Sequence, residues 1–308
     1  MEKIIVPVIL GPTAAGKTSF VLRAAEEFGY EVVSCDSRQI YRHMDVGTAK
    51  PTARERERVR HWLIDVLDPS EAYSAFAFAE DALRIIREAR GRGKKILICG
   101  GAGLYFYILR GGARRLPGAD LGLRESLLDE ARGRGAGALH ERLRGVDPVG
   151  ASNIHPNDLQ RVLRALDVFY RRGRPLSSLQ EERGLPQDVD FRVVAISRPR
   201  DVLYDRINRR VDAMAAEGLW GEFLRLRGMG YGERSPGMAC VGYRELFAVE
   251  RGEAGMARAV ELIKRNSRRY AKRQMTWFRN KARCEHICAA DEGGDFLIDW
   301  FTRQGLAG

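Results

Sequence analysis

Near the start of the chain, Ile4 to Leu10 form an apolar run with no charged position, and a run of that length ahead of a glycine-rich turn predicts a buried strand. From Lys17 to Phe28 the apolar residues return at helical spacing and Gly29 follows, which predicts a helix over 17–28. The stretch YEVVSCDSRQIY predicts a second strand ending at Asp36, and HWLIDVLDP supplies a third apolar run. AFAFAEDALRIIREARGRG has the pattern of an amphipathic helix, and KKILICGGAGLYF that of a strand turning into a helix. Strands alternating with helices at this spacing predict parallel βαβ units, and a glycine-rich turn after the first strand predicts an α/β, doubly wound parallel sheet flanked by helices. Between about Leu116 and Gln187 the strand pattern stops. This stretch is rich in Arg and Gly, and NDLQRVLRALDVFYRR is its best helix, so a helical insertion domain is expected there. FRVVAISRP at 191–199 restores the sheet, after which the pattern predicts helix to the end. The expected division is therefore 1–115 and 188–308 as two parts of one core, with 116–187 inserted.

The first turn carries specific chemistry. Gly11, Pro12, Thr13, Ala14, Ala15, Gly16, Lys17 and Thr18 match G-x-x-x-x-G-K-[ST], a P-loop. Such a loop turns backbone N–H groups and a helix N-terminus toward an anion, Lys17 adds a charge, and the Thr18 hydroxyl can ligate Mg2+. The ligand is a diphosphate or triphosphate. An ATP-splitting site of this kind also uses a carboxylate at the end of a later strand. Here ILIC runs into Gly100-Gly101-Ala102-Gly103, a turn of bare backbone that suits close approach of a ligand. The carboxylate at a strand end beside the loop is Asp36, which can accept a proton, bind magnesium or simply cap a turn. Arg206 and Arg210 lie four apart on one helical face, suited to stabilising a leaving group or to forming a solvated surface.

Composition narrows the partners. The 308 residues are 44 % apolar and 30 % charged, as in a globular protein of one large or two ordinary domains. A net charge of +11 and a pI near 9.7 point to a polyanion, nucleic acid before membrane. The basic residues concentrate in ELIKRNSRRYAKRQMTWFRNKAR, where Lys264, Arg268 and Lys272, beside Arg265, Arg269 and Arg273, are expected to form a continuous stripe, with Ile263, Tyr270 and Trp277 toward the other side. Five scattered cysteines favour a reducing cytosol over a disulfide framework. Cys284, His286 and Cys288 lack the paired spacing of a zinc site. The run Ile4 to Leu10 is too short to span a membrane and has no signal-peptide cleavage region, so no membrane partner is expected.

The ordered set GPTAAGKT, DSRQIYRHMDVGTAKP, HWLIDVLDP, GGAGLYF, IHPNDLQRVLRAL, CVGYRE and AKRQMTWFR resembles the tRNA isopentenyltransferase family over nearly the whole chain. The resemblance implies a P-loop NTPase-like fold. It implies that residues 11–18, with Arg206, hold the diphosphate of dimethylallyl diphosphate with Mg2+, and that the acceptor is the adenosine 3′ to the anticodon of tRNA. Asp36 is then the general base and Arg210 a catalytic cation. The same resemblance assigns tRNA contacts to Asp36, Ser37, Arg38 and Gln39, to Ala102 and Arg124, to Gln160, Arg161, Val162, Leu163 and Arg164, and to Cys240, Val241, Gly242, Tyr243 and Arg244. The family usually carries Thr where this chain has Ala102, so a hydroxyl that could position Asp36 or the adenine is missing. An adenylate prenyltransferase or a small-molecule kinase would share the loop and Asp36, and a non-catalytic RNA-binding module would share the basic stripe. A cytoplasmic monomer is expected.

Overall fold

The computed structural model describes residues 3–112, 120–179, 188–282, 284–288 and 295–307. Two compact units divide the chain, one formed by Met1–Arg110 with Pro186–Gly308 and the other by Gly111–Leu185. The first half of the larger unit runs β1 (Ile4–Leu10), α1 (Lys17–Phe28), β2 (Tyr30–Cys35), α2 (Ala53–Arg58), β3 (His61–Trp62), α3 (Ala75–Gly91), β4 (Lys95–Gly100) and α4 (Gly103–Leu109). The smaller unit carries α5 (Leu121–Arg134), α6 (Ala136–Val146), α7 (Pro148–Asn153), α8 (Leu159–Arg172) and α9 (Leu176–Leu179). The chain then completes the larger unit with β5 (Val189–Ser197), α10 (Arg200–Ala216), α11 (Leu219–Gly228), α12 (Leu246–Glu250), α13 (Met256–Lys281), β6 (Glu285–Cys288) and α14 (Asp295–Arg303).

The six strands form one parallel sheet in the order β3-β2-β4-β1-β5-β6. Central β1 is buried from Val6 to Leu10, as a parallel strand covered on both faces must be. Its Pro7 has no N–H to give, and pairing with β4 begins only at Val8, so the proline falls where β5 is the one sheet neighbour. On one face α1 and α14 pack Phe20, Leu297, Trp300 and Phe301 over Val32, Leu97 and Ile196. The turns that follow β1, β2, β4 and β5 all lie at the carboxyl edge of the sheet, where open α/β sheets bind ligands.

Two expectations change. The third apolar run yields a strand of only two residues, because Leu63 and Asp65 take left-handed backbone (φ 61 and 56) and break the extended path. The C-terminal part is not wholly helical: Glu285–Cys288 pairs with Val194–Ser197 as β6.

The smaller unit has its own core, in which Leu127, Leu139, Leu143, Val162, Leu163 and Leu166 meet. Buried Asp147 caps α7 through the Gly150 N–H at 2.7 Å and accepts the Ser177 N–H at 3.0 Å, which ties α9 to the α6–α7 corner.

Candidate functional site

The P-loop leaves β1 at Gly11, where a side chain could not fit: a Cβ there would lie 2.5 Å from the Ile196 carbonyl of β5. Ala14 and Gly16 then take left-handed backbone (φ 62 and 90), and α1 starts without any side-chain cap. Cations hold the loop's carbonyls. Lys17 Nζ donates to Pro12 O at 2.7 Å, Arg206 Nε to Ala14 O at 2.9 Å and Arg198 Nε to Ala15 O at 2.9 Å. Arg210 Nη1 donates to the Thr13 hydroxyl at 3.0 Å. With those carbonyls engaged, the uncapped N–H groups at the start of α1 are available to an anion.

Gln274 of α13 braces the loop from a second side. Its Oε1 accepts the Thr13 N–H at 2.9 Å and its Nε2 donates to Gly101 O at 3.0 Å, so one buried amide joins the P-loop to the turn after β4. Gly100 and Gly101 of that turn line the same cavity as the P-loop, and the turn is also packed tightly against protein. Its glycines make room for protein: a Cβ on Gly100 would lie 1.9 Å from Cys35 O, one on Gly101 2.3 Å from Gln274 Nε2, and one on Gly103 2.4 Å from the Trp277 ring. Ala102 is the N-cap of α4, contributes no side-chain cap, and gives its N–H to Cys35 O at 3.1 Å.

Asp36 follows β2 directly. Its Oδ1 accepts the N–H groups of Arg38 (2.8 Å) and Gln39 (3.4 Å), and Oδ2 has no hydrogen-bond partner among the described residues. The turn-cap role and a free acceptor oxygen therefore coexist in one side chain. Asp36, Lys17, Thr18, Arg206 and Arg210 line a single cavity of about 1160 Å³. Burial lowers the pKa of Lys17, neighbouring Cys99 and Asp36 act to raise it, and Arg210 acts to lower it. Burial likewise lowers that of Arg210, and Asp36 again acts in the other direction.

Among the positions expected to touch tRNA, Ser37, Arg38, Gln39, Cys240, Val241, Gly242 and Arg244 line the same cavity as Asp36. Arg38 Nη1 reaches Pro236 O at 2.8 Å and so links the two segments. Tyr243 does not face the cavity. Its ring is fully buried and its hydroxyl bonds Glu222 at 2.6 Å, which corrects its assignment as a tRNA-touching residue. Val162 and Leu163 are corrected in the same way, because the apolar face of α8 is taken up by the core of the smaller unit. Gln160 and Arg161 of that helix are exposed; Gln160 bonds Arg124, while Arg164 pairs with buried Asp167 at 2.8 Å.

The basic stripe on α13 is also rearranged. Lys264 is ion-paired to Asp212 of α10 at 2.8 Å and to Glu261 at 3.1 Å, and Arg268 bonds Asn208 of α10, so both face a neighbouring helix. The exposed basic positions of α13 are Arg258, Arg265, Arg269, Lys272, Arg273, Arg279 and Lys281. Tyr270 sits among them, 38 % exposed, with the Arg273 guanidinium over its ring. Sequence reasoning misses Arg198 and Gln274. An arginine at the carboxyl end of an apolar strand and a glutamine within a basic helix are the only local signals they give.

A model of the IPP transferase family matches residues 39–281, a span that begins three residues after Asp36. The tRNA dimethylallyltransferase of Geobacter metallireducens is 46 % identical over 280 residues, covering 90 % of this chain and 90 % of that protein. The enzyme of that name from Thermotoga maritima is 44 % identical over 275 residues, covering 89 % of each chain. Among solved structures, a tRNA isopentenylpyrophosphate transferase from Staphylococcus epidermidis is similar with a TM-score of 0.70 at 36 % identity, over 98 % of this chain and 99 % of that one. A eukaryotic dimethylallyltransferase solved acting on tRNA gives a TM-score of 0.78 at 25 % identity, over 98 % of this chain and 77 % of the other.

Proposed function

The chain belongs to the IPP transferase family, whose members prenylate tRNA, and on that premise we propose that it transfers the dimethylallyl group of dimethylallyl diphosphate to N6 of the adenosine 3′ to the anticodon. The observation that carries the proposal is the shared cavity, in which a P-loop cradle for diphosphate and the Asp36 carboxylate face the same space.

The exocyclic nitrogen of adenine is a weak nucleophile because its lone pair is delocalised into the ring. It attacks the allylic C1, the C1–O bond to diphosphate breaks, and the N6 proton passes to Asp36. Two backbone N–H groups fix the carboxylate through Oδ1, which leaves Oδ2 to take the proton. Negative charge gathers on the departing diphosphate, and the cations already aimed at this loop, Lys17, Arg206 and Arg210, neutralise it. Thr18 is exposed in the cavity and its hydroxyl fits a hard cation, and Mg2+ held there with the diphosphate would add further neutralisation of the leaving group. The acceptor base must leave its stack to enter a cavity of this kind.

The proposal includes a cytoplasmic monomer. Free thiols at Cys35, Cys99 and Cys240 suit a reducing setting, and no helix among the described residues is long and apolar enough to cross a membrane. The test is mass analysis of nucleosides from tRNA incubated with the protein and dimethylallyl diphosphate, with free AMP and labelled ATP as parallel substrates. Prenylated adenosine in tRNA is expected. Prenylated AMP with unmodified tRNA, or transfer of label from ATP, would replace the proposal with one of its competitors.

A further inference from the structure

Glu222 of α11 is 1 % exposed, yet both of its carboxylate oxygens are fully engaged. Oε2 accepts the N–H groups of Asp45 and Val46, each at 2.8 Å, and Oε1 accepts the Gly47 N–H at 2.9 Å and the Tyr243 hydroxyl at 2.6 Å. An ionised carboxylate has about four acceptor sites, and all are used. The Tyr243 ring occupies the space beside Gly47, where a Cβ would lie 2.5 Å away. Burying a carboxylate carries a desolvation cost that an apolar side chain would avoid. What the carboxylate provides here is acceptors for three successive N–H groups in a segment that belongs to no helix or strand.

That segment forms part of the cavity wall, as Asp36 does. It continues through the bonds from Ala49 N to Val46 O and from Lys50 N to Asp45 O. The Ala49 carbonyl then accepts Gln39 Nε2 at 3.1 Å, and Gln39 Oε1 accepts the Ser34 hydroxyl at 3.0 Å. Gln39 also gives its backbone N–H to Asp36 Oδ1. Hydrogen bonds thus connect Glu222 to Asp36 through a chain whose two ends are 186 residues apart in sequence (222 − 36). The P-loop is held by other groups, Lys17, Arg198, Arg206, Arg210 and Gln274.

We propose that Glu222 is a positioning residue for Asp36, acting through the Asp45–Ala49 segment and Gln39. This rests on the proposal that Asp36 takes the proton. Glu222→Gln replaces one acceptor oxygen with an amide that cannot accept, so the segment shifts and the base with it. Because a misplacement of about 1 Å can cost about 10²-fold in rate, the single-turnover rate at saturating tRNA and donor should fall about 10–100-fold. The donor KM and the tRNA Kd should stay within about threefold, since an effect confined to the chemical step leaves ground-state binding in place. Tyr243→Phe removes one of the four donors and should cause a smaller drop in the same rate. Gln39→Ala cuts the same chain, so the double variant Glu222→Gln with Gln39→Ala should be no slower than the slower single variant. Thermal melting of each variant shows whether it is folded; if Glu222→Gln is not, Tyr243→Phe and Gln39→Ala form the same cycle. A wild-type rate in folded Glu222 and Tyr243 variants, or effects that multiply in the double variant, would overturn the inference. Asp36→Ala is measured alongside. If it keeps full turnover the general-base proposal fails, whereas an inactive Asp36 variant beside unaffected Glu222 and Tyr243 variants removes only the inference about Glu222.

Discussion

At the scale of single residues, Asp36 combines a structural role and a chemical one in a single carboxylate. Its Oδ1 is given to the turn, its Oδ2 has no hydrogen-bond partner among the described residues, and the residue lines the cavity. Asp36→Asn keeps the acceptor oxygen that holds the turn and removes the base, so turnover should fall about 10²–10⁴-fold. tRNA affinity should barely change, and single-turnover rates combined with filter binding check both. Lys17 carries a second expectation. Burial holds its pKa below the ordinary lysine value, so part of the population loses its charge as the pH rises toward that lowered value. A bound diphosphate favours the ammonium and raises the pKa again, so donor affinity should fall with rising alkaline pH and binding should take up protons. Calorimetry in buffers of different ionisation enthalpy measures the uptake. Its absence at alkaline pH would remove Lys17 from the diphosphate's surroundings.

At the scale of elements, α13 does two jobs on two faces. Ala271, Gln274 and Phe278 are buried, with Gln274 touching the P-loop and the turn after β4, while Arg265, Arg269 and Lys272 face outward. Lys264 and Arg268 belong to the packing of α13 on α10. Neutralising Arg265, Arg269 and Lys272 together should therefore lower tRNA affinity and make its salt dependence shallower, by roughly 0.7–0.9 of a log unit for each phosphate no longer neutralised. Lys264→Gln should leave the slope unchanged, because that charge is already paired to Asp212 and Glu261 within the protein. Binding measured at four or five salt concentrations separates the two outcomes, and equal slopes for both variants would contradict the division of faces. Spacing along the helix made the basic character of α13 legible, but not which face meets α10, since Arg or Lys occurs almost all the way around.

At the scale of the whole molecule, the two units have separate cores, and damage to one should be felt selectively. Leu139 is fully buried in the core of the smaller unit. Leu139→Ala should cost about 2–5 kcal/mol there, a large part of what a unit of that size holds. The P-loop and its cations all lie in the larger unit. Donor binding should therefore survive, while the tRNA contacts expected of exposed Gln160 and Arg161 in this unit should weaken. Titrating donor and two different tRNAs against the same variant checks this; parallel weakening of both would mean the units do not fold independently.

The α/β class, the P-loop, Asp36 at a strand end and the helical character of the insertion could all be read from the sequence, because each is written locally. A buried parallel strand is a continuous apolar run, a phosphate loop is eight adjacent residues, and a helix repeats every 3.6. What required the tertiary structure were relations between residues far apart in the chain. That Gly101 and Gly103 pack against Gln274 and Trp277 is visible only once α13 is in place. Tyr243 and Val162 look like tRNA-touching residues until burial removes them from the surface. Glu222 reads as an ordinary surface acid on α11, and only the folded chain brings Asp45, Val46 and Gly47 to it. Local pattern fixes which backbone conformation is favoured, whereas the partner of a buried polar group is chosen by which distant segment the packed core brings within about 3 Å.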